Sequence, residues 1–208
     1  MQDEKNASLR TLKRLPFYLH YLEELVEENV EFISMPKIAQ DLGFNEMSVK
    51  KDFSFITREK GKPRIGHRVS NLLKDLNVFL RCCIKKQACL VGVGNLGKAL
   101  MGFKGFKRYG MEISLAFDVN HEIIGKKMHG ITIYHSDEIT RLCRLLAVSI
   151  GIITVSADSA QAVCDALIKG GVRAIWNFAP IHPKVPNNVV LQNENMASSL
   201  AVLLALTK

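Results

Sequence analysis

Apolar residues recur at helical spacing in the first eighty positions of the chain. The first stripe consists of Leu15, Leu19, Leu22, and Leu25 or Val26. It predicts a helix that runs to about Glu28, with Pro16 near its start. Ser34 is a good N-cap residue for a short second helix, which is expected to end at Gly43.

A third helix is predicted after Asn45, which is also a good N-cap residue. Its apolar positions follow an i, i+4, i+7 pattern at Val49, Phe53 and Ile56. Two short helices joined by a turn that contains glycine are typical of a helix-turn-helix.

The pattern changes after about residue 80, where short apolar runs alternate with amphipathic stretches. Strands are predicted at 88–91, 113–117, 131–134, 149–155 and 172–178, and helices at 98–106, 136–146 and 158–169. This alternation predicts a parallel sheet covered by helices on both faces. The last stretch, 196–206, is almost wholly apolar, so a helix there is expected to be buried all round.

A glycine-rich turn follows the first predicted strand of this region. Its residues are Gly92, Val93, Gly94, Asn95, Leu96 and Gly97. In a dinucleotide-binding unit the first glycine permits the tight turn and the second lets the backbone approach the phosphates. The third lets the helix pack on the strand. The turn is therefore expected to hold a dinucleotide pyrophosphate.

Asp118 ends the next strand, about 20 residues past the turn, where a carboxylate accepts hydrogen bonds from an adenosine ribose. Because it would repel a 2′-phosphate, NAD(H) is favoured over NADP(H). The alternative is a turn residue before Asn120. Ligands of parallel sheets lie beyond the carboxyl ends of the strands, so we expect Val155, Asn177 and Phe178 in the same crevice.

The outward face of the third helix is polar and basic. Its predicted DNA-contacting residues are Met47, Ser48, Lys50, Lys51, Ser54 and Arg58. A DNA major groove could receive that face. The alternative is a basic surface that contacts only solvent.

Residues 60–68 are basic and rich in turn residues, which is typical of the wing of a winged helix. The cations expected to contact phosphates there are Lys60, Lys62 and Arg64. Between Lys50 and Arg68 there are seven Lys or Arg against two acids. We therefore expect an α/β chain with a winged helix-turn-helix domain (1–80), a Rossmann domain (81–193) and a C-terminal helix (194–208).

Composition adds little to this picture. The net charge of +8 and the pI near 9.3 are compatible with a polyanionic partner. No apolar run reaches the roughly 20 residues that span a bilayer, and the first residues lack an apolar signal region, so we expect a cytoplasmic protein with no membrane partner. The five cysteines have no CxxC spacing, which favours reduced thiols, and no cluster of ligand residues indicates a metal.

The chain resembles the Rex family of redox-sensing repressors, in which a winged helix is joined to an NAD(H)-binding Rossmann domain. The matching segments include RLP at 14–16, YLEEL at 21–25, VKKDFS at 49–54, VGVGNLGKAL at 91–100, AFDV at 116–119 and NFAP at 177–180. The resemblance implies a homodimer that binds a palindromic double-stranded DNA operator and is released when NADH binds. It also implies that the C-terminal helix is exchanged between subunits; the alternative is burial within its own Rossmann domain.

Three positions depart from the family pattern. The resemblance implies a polar cluster that couples nicotinamide to the wing position, formed by an Arg on the first helix, a Tyr after the Rossmann glycines and an Asp at the start of the exchanged helix. The corresponding residues here are His20, Phe103 and Asn195. Because a charge-assisted Arg–Asp pair is absent, we expect a switch that is weaker, pH-sensitive through His20, or lost.

A different class of function is the alternative: an NAD(H)-dependent oxidoreductase, or a Rossmann module that binds CoA or another nucleotide. A dehydrogenase needs an acid/base group held by a carboxylate, together with a substrate domain. Only His135 and His182 are candidate bases near the crevice, and no segment for such a domain is expected after Val190. We therefore expect no catalytic residue.

Overall fold

The computed structural model describes residues 7–58, 61–80 and 85–207, without the side chains of residues 196 and 199. The chain divides into two compact units, Met1–Cys83 and Ile84–Lys208. In the part of the chain so described, no helix is long and apolar enough to cross a membrane.

The N-terminal unit is mainly helical. Its elements are α1 (Leu9–Glu27), β1 (Phe32–Ile33), α2 (Met35–Leu42), α3 (Glu46–Ile56), β2 (His67–Arg68) and α4 (Val69–Phe79). β1 and β2 pair antiparallel. The caps are as predicted, because Ser34 accepts a hydrogen bond from the Lys37 N–H, Gly43 is left-handed, and Asn45 accepts from the Ser48 N–H.

The first helix is longer than predicted. Ser8 caps it by accepting a hydrogen bond from the Thr11 N–H at 3.1 Å, so the placement of Pro16 near its start is wrong. Proline inside a helix removes one hydrogen bond and costs about 3 kcal/mol. The fully buried neighbours Leu15 and Tyr18 offset that cost by packing in the core of this unit.

The C-terminal unit is an α/β sandwich. Its helices and strands are β3 (Lys86–Val91), α5 (Asn95–Gly102), β4 (Met111–Asp118), β5 (Lys127–Met128), β6 (Ile131–His135), α6 (Ile139–Leu145), β7 (Ile150–Ile153), α7 (Ala157–Lys169), β8 (Ala174–Asn177), β9 (Val190–Asn193) and α8 (Met196–Leu206). The sheet order is β5-β6-β4-β3-β7-β8-β9, and every pair is parallel except β5 with β6.

Alternate residues of the central strands enter two separate apolar clusters, one on each face of the sheet. Cys89 and Val91 belong to one cluster, whereas Ala88 and Leu90 belong to the other. This arrangement confirms the predicted parallel sheet with two covered faces. The edge strands β5 and β9 were not predicted from the pattern, because both are short and neither is fully buried.

Two predicted helices have different bounds in the structure. The helix predicted at 98–106 ends at Gly102, because Phe103 is extended (φ −77°, ψ 110°) and leads into a 3-10 helix at Lys104–Tyr109. The helix predicted at 136–146 begins with a 3-10 turn at Ser136–Glu138 before α6.

The apolar helix α8 is not buried within this chain. Its leucines and valine are exposed, and Leu203 retains 58% of its accessible surface. The alternative of burial within its own Rossmann domain is therefore wrong. An exposed apolar surface of this kind is typical of an interface with another protein surface.

Candidate cofactor crevice and nucleic-acid interface

The glycine turn lies at the carboxyl end of β3, the middle strand of the sheet. Gly92 has a φ of +99°, and a Cβ there would lie 2.8 Å from the carbonyl carbon of Thr154. A Cβ on Gly97 would lie 2.1 Å from the carbonyl oxygen of Gly92. Both positions therefore require glycine, one for the turn and one for the close approach of α5.

Gly94 differs from these two, because a Cβ there would meet no atom within 4 Å. It is the N-cap of α5, and no described side chain caps that end of the helix. The first N–H groups of a helix have no intrahelical acceptor, and the helix dipole favours an anion beside them. The backbone here, from Asn95 and Leu96 to Gly97, thus fits a pyrophosphate.

Asp118 holds the glycine turn from the neighbouring strand β4. Its Oδ2 accepts a hydrogen bond from the Val93 N–H at 2.6 Å, and its Oδ1 accepts from the Asn120 N–H at 2.9 Å. The turn role considered for this residue is therefore present in the structure. Each carboxylate oxygen keeps a second lone pair, so the same side chain can also accept from a ribose hydroxyl.

Thr154 was missed by the sequence analysis. It follows β7 directly, and its hydroxyl donates to the carbonyl oxygens of Gly92 at 2.7 Å and Val91 at 3.0 Å. The next residue, Val155, is half-buried and lies beside Gly92. Thr154 therefore ties the β7 loop to the glycine turn and brings Val155 to the crevice.

Asn177 is fully buried at the end of β8. Its Nδ2 donates to the Ala179 and Ile181 carbonyl oxygens and to Asn193 Oδ1, at 3.1, 2.9 and 2.8 Å. Its Oδ1 accepts from the Ala179 N–H. The Asn177 side chain thus fixes the shape of the loop after β8.

Phe178 belongs to a continuous row of aromatic rings. Its ring centroid lies 4.8 Å from that of Trp176, which lies 5.7 Å from Phe106, and Phe106 lies 4.8 Å from Phe103. The Trp176 indole N–H donates to Glu194 Oε1 at 3.1 Å. The row connects a predicted cofactor residue to the exposed ring of Phe103.

Of the other two positions that depart from the family pattern, one precedes α8 and the other lies on α1. Asn195 caps α8 by accepting a hydrogen bond from the Ser198 N–H at 3.0 Å. In the N-terminal unit, the exposed His20 lies on α1 with its Nε2 3.2 Å from Glu24 Oε1.

The two candidate bases have structural contacts. His135 Nδ1 accepts a hydrogen bond from the Asp137 N–H at 3.3 Å and so caps the turn that follows β6. His182 Nδ1 lies 3.0 Å from Asn193 Nδ2. Among the residues described, no group of three or more His, Cys, Asp or Glu is placed to hold a metal ion.

The predicted DNA-contacting face of α3 faces solvent, and its largest apolar side chain, Met47, is 70% exposed. Lys50, Lys51 and Ser54 are also exposed, whereas Ser48 is half-buried. Arg58 lies beyond the helix, where its N–H donates to Asp75.

The wing is a short hairpin in which Lys62 bridges to Gly66. Arg64 lies at its tip with a φ of +64°. Phe32 on β1 receives the Lys62 ammonium and the Arg68 guanidinium over its ring, at 5.9 and 5.0 Å from the centroid. The remaining predicted wing cation, Lys60, lies outside the described residues.

A buried ion pair joins α3 to α1. Asp52 is 1% exposed and accepts hydrogen bonds from Arg14 Nε at 2.7 Å, Arg14 Nη2 at 2.8 Å and the Tyr18 hydroxyl at 2.8 Å. Burial alone would raise the pKa of the Asp52 carboxyl, but the hydrogen bonds from Arg14 and Tyr18 outweigh it and lower that pKa. This contact fixes α3 on the body of the unit; an Asp on the buried face of an amphipathic helix was the signal for it.

Two family models match the chain. One, described as a CoA binding domain, covers residues 84–181, and the other, a putative DNA-binding protein N-terminus, covers residues 7–54. The redox-sensing transcriptional repressor Rex of Porphyromonas gingivalis is 40% identical over 193 residues, which is 93% of this chain and 88% of that protein. The chain belongs to the Rex family.

Other Rex proteins agree over nearly the whole length. The Clostridium beijerinckii repressor is 36% identical, covering 99% of this chain and 97% of its own. Among solved structures, RSP in complex with β-NAD+ and operator DNA superposes with a TM-score of 0.91 at 29% identity, covering 97% of this chain and 92% of that chain. RSP in complex with β-NADH gives a TM-score of 0.86, covering 97% and 94%.

These matches confirm the predicted family and its mixed α/β fold. The relatives are named as transcriptional repressors, which agrees with the prediction that the chain is not an enzyme. RSP has been solved with NADH and with NAD+, the cofactor pair that Asp118 was predicted to favour.

Proposed function

We propose that this chain is a redox-sensing transcriptional repressor that binds operator DNA with its N-terminal unit and NAD(H) with its C-terminal unit. The observation that carries the proposal is the space around the glycine turn. Gly92 and Gly97 leave no room for a side chain, and Gly94 leaves open space at the N-terminus of α5. The RSP complexes with NAD+ and NADH support the choice of ligand.

In this proposal the pyrophosphate accepts hydrogen bonds from the N–H groups of Asn95, Leu96 and Gly97, beside Val93. The adenosine ribose donates to Asp118. The Val155 and Phe178 side chains and the loop shaped by Asn177 line the rest of the crevice. Hydride chemistry belongs to the dinucleotide, and the chain itself binds and orients it.

The DNA interface combines a face that enters the major groove with cations that contact phosphates. The first set is Met47, Ser48, Lys51 and Ser54, and the second is Lys50, Arg58, Lys60, Lys62 and Arg64. RSP in complex with operator DNA is the relative that supports this part.

The repressor acts as a homodimer in the cytoplasm, where operator DNA and NADH are both present. The exposed apolar surface of α8 supports this step, because a second copy would cover it. Substituting Leu203 with Glu places a charge on that surface, so sedimentation is expected to show more monomer. A dimer of unchanged affinity would contradict the role of α8.

NADH favours release from the operator, but less so than in a family member with the charged cluster. His20, Phe103 and Asn195 cannot form the Arg–Asp pair, and charge-assisted hydrogen bonds are about twice as strong as neutral ones. The combined substitution His20→Arg, Phe103→Tyr and Asn195→Asp is expected to enlarge the loss of DNA affinity caused by NADH. Equal release by both proteins would contradict the weakened switch.

Cofactor binding can be measured with the single tryptophan of the chain. Trp176 contacts Phe178, and NADH absorbs where tryptophan emits, so bound NADH is expected to quench its fluorescence. Gly94→Val adds a side chain in the open space without a backbone clash, and is expected to abolish quenching. Retained quenching in Gly94→Val would contradict the site.

A CoA-binding module is the second candidate, because the matching family model carries that description. CoA added to the NADH complex discriminates the two. We expect no recovery of Trp176 fluorescence at equimolar CoA. Full recovery would favour CoA as the ligand.

A further inference from the structure

A second cationic surface lies beside α3, between that helix and the start of α1. It is a groove of about 300 Å³ lined by Ser8, Arg10, Thr11, Arg14, Ser48, Lys51, Asp52 and Phe55. Of these lining residues, only Ser48 and Lys51 belong to the DNA-contacting set predicted from the sequence, and none of that set lies on α1. The groove therefore adds residues of a second helix to the surface around α3.

The groove carries an excess of positive charge. Arg10, Arg14 and Lys51 contribute three cations and Asp52 one anion, which leaves a net charge of +2. The Asp52 charge is already matched by the bidentate contact from Arg14. Within the described ranges no ion pair is found for Arg10 or Lys51, and Lys51 is exposed.

The donors of the groove suit an anionic oxygen. Arg14 donates two hydrogen bonds to Asp52, one from Nε and one from Nη2. Since a guanidinium has five N–H donors, three N–H groups of Arg14 remain for another acceptor. Ser48 lines the same groove. Arginine and serine side chains of this kind are the usual partners of phosphate oxygens in protein–DNA complexes.

The ion pair gives the groove a fixed position relative to α3. Because Arg14 and Asp52 join the two helices through hydrogen bonds of 2.7 and 2.8 Å, the lining of the groove keeps a fixed position relative to the exposed face of α3. A phosphate bound there would set the register of α3 on the duplex without reading any base.

We propose that the groove between α1 and α3 binds a backbone phosphodiester of the duplex, held by Arg10, Arg14 and Lys51. The inference rests on the proposed DNA binding and adds α1 to the interface. A free phosphate ion has the same chemistry, and we assign the groove to the duplex because it adjoins α3, the helix whose exposed face is basic.

The test compares the salt dependence of duplex binding by the full-length chain and two variants. Arg10→Gln removes a cation that lines the groove, and Lys13→Gln removes an exposed cation of the same helix that does not. Fluorescence anisotropy is recorded with a duplex selected by this chain from a random pool and with an unrelated duplex. Equal unfolding midpoints establish that both variants are folded.

Each phosphate contact contributes about 0.9 to the slope of log K against log salt. Arg10→Gln is expected to lower the slope by about that amount, and to weaken both duplexes by the same factor. Lys13→Gln is expected to keep the wild-type slope. A slope in Arg10→Gln equal to that in Lys13→Gln overturns the proposal.

Two further outcomes separate this proposal from others. If inorganic phosphate displaces the duplex better than chloride at equal ionic strength, and Arg10→Gln removes that effect without changing the duplex slope, the groove binds free phosphate and the proposal is overturned. If the wild-type chain binds neither duplex, the proposed function fails and this proposal fails with it. If the wild-type chain binds the duplex and Arg10→Gln has the wild-type salt slope, only the proposal for the groove is overturned.

Discussion

The two units present their candidate binding groups in different ways. Around α3 and the wing, these groups are long cationic side chains on a helix whose position is fixed by the buried Asp52. Around the glycine turn, they are backbone N–H groups, while the polar side chains of Thr154 and Asn177 bond within the protein. The phosphate-binding groups are therefore side chains on one surface and backbone N–H groups on the other.

This difference predicts different responses to substitution. Removing one cation from the N-terminal surface changes one phosphate contact and leaves the fold intact. Adding one methyl group at Gly97 displaces the backbone that supplies several donors together. The strongest effects in the N-terminal unit are therefore expected at Asp52, the buried carboxylate that positions α3.

The largest effect is expected from Asp52→Ala. Arg14 and the buried Tyr18 hydroxyl would both lose their acceptor, and breaking a pair with a buried member typically costs about 3–5 kcal/mol. Urea unfolding monitored by circular dichroism should show the N-terminal unit destabilised. NADH quenching of Trp176 should persist, because it reports on the other unit.

The exposed carboxylate Asp41 provides the control for that substitution. It pairs with Lys37 on the surface of α2, so Asp41→Ala should change stability much less. Equal destabilisation by both substitutions would contradict the importance of the buried pair.

Gly97→Ala is expected to have the next largest effect. Its Cβ would lie 2.1 Å from the Gly92 carbonyl oxygen, and such overpacking costs about 1–3 kcal/mol. NADH quenching should be lost together with some stability of the C-terminal unit. Gly94→Ala is the matched control, since its Cβ meets nothing within 4 Å; it should keep full stability. If Gly97→Ala were as stable as Gly94→Ala, the close approach of Gly97 to the Gly92 carbonyl oxygen would be wrong.

Acid is expected to destabilise the N-terminal unit through Asp52. The pKa of Asp52 is lower in the folded chain than its ordinary value of 3.8. The stability it contributes is therefore complete above pH 3.8 and is lost as the pH falls from there through the folded pKa. Asp52→Asn cannot titrate, so its stability should change less with pH over that range. If the unfolding free energies of the wild type and Asp52→Asn changed equally with pH, the loss of stability in acid would not come from Asp52.

The helix caps and the glycine turn could be predicted because their signals are local. Ser34, Gly43 and Asn45 act within one turn of the helix they cap, and Gly92 and Gly97 act within six residues of each other. The start of α1 could not be predicted, because packing around Leu15 outweighs the cost of Pro16.

The side chains around the crevice could be located but their partners could not. The strand pattern places Asn177 at the correct edge of the sheet, but its bond to Asn193 depends on β9, a strand too short to predict. Trp176 and Phe106 meet only in the folded sheet. The exposure of α8 could not be predicted either. Its apolar composition indicates that the helix is buried, but not whether the same chain or a second chain buries it.

The smallest effect is expected at the tip of the wing. Arg64→Gln should lower the salt slope of duplex binding by about 0.9, with no change in NADH quenching. Arg173→Gln removes a cation from the other unit and serves as the control. Any change in sequence preference with Arg64→Gln would mean that this side chain reads a base.

The coupling between the two units is tested most directly by titrating NADH into the chain bound to its selected duplex. Anisotropy measures release while Trp176 quenching measures occupancy in the same sample. We predict that saturating NADH lowers duplex affinity in the wild type, that NAD+ lowers it less, and that Gly94→Val abolishes both effects. Unchanged duplex affinity at full Trp176 quenching would contradict the account, because NADH would then occupy the crevice without affecting DNA binding.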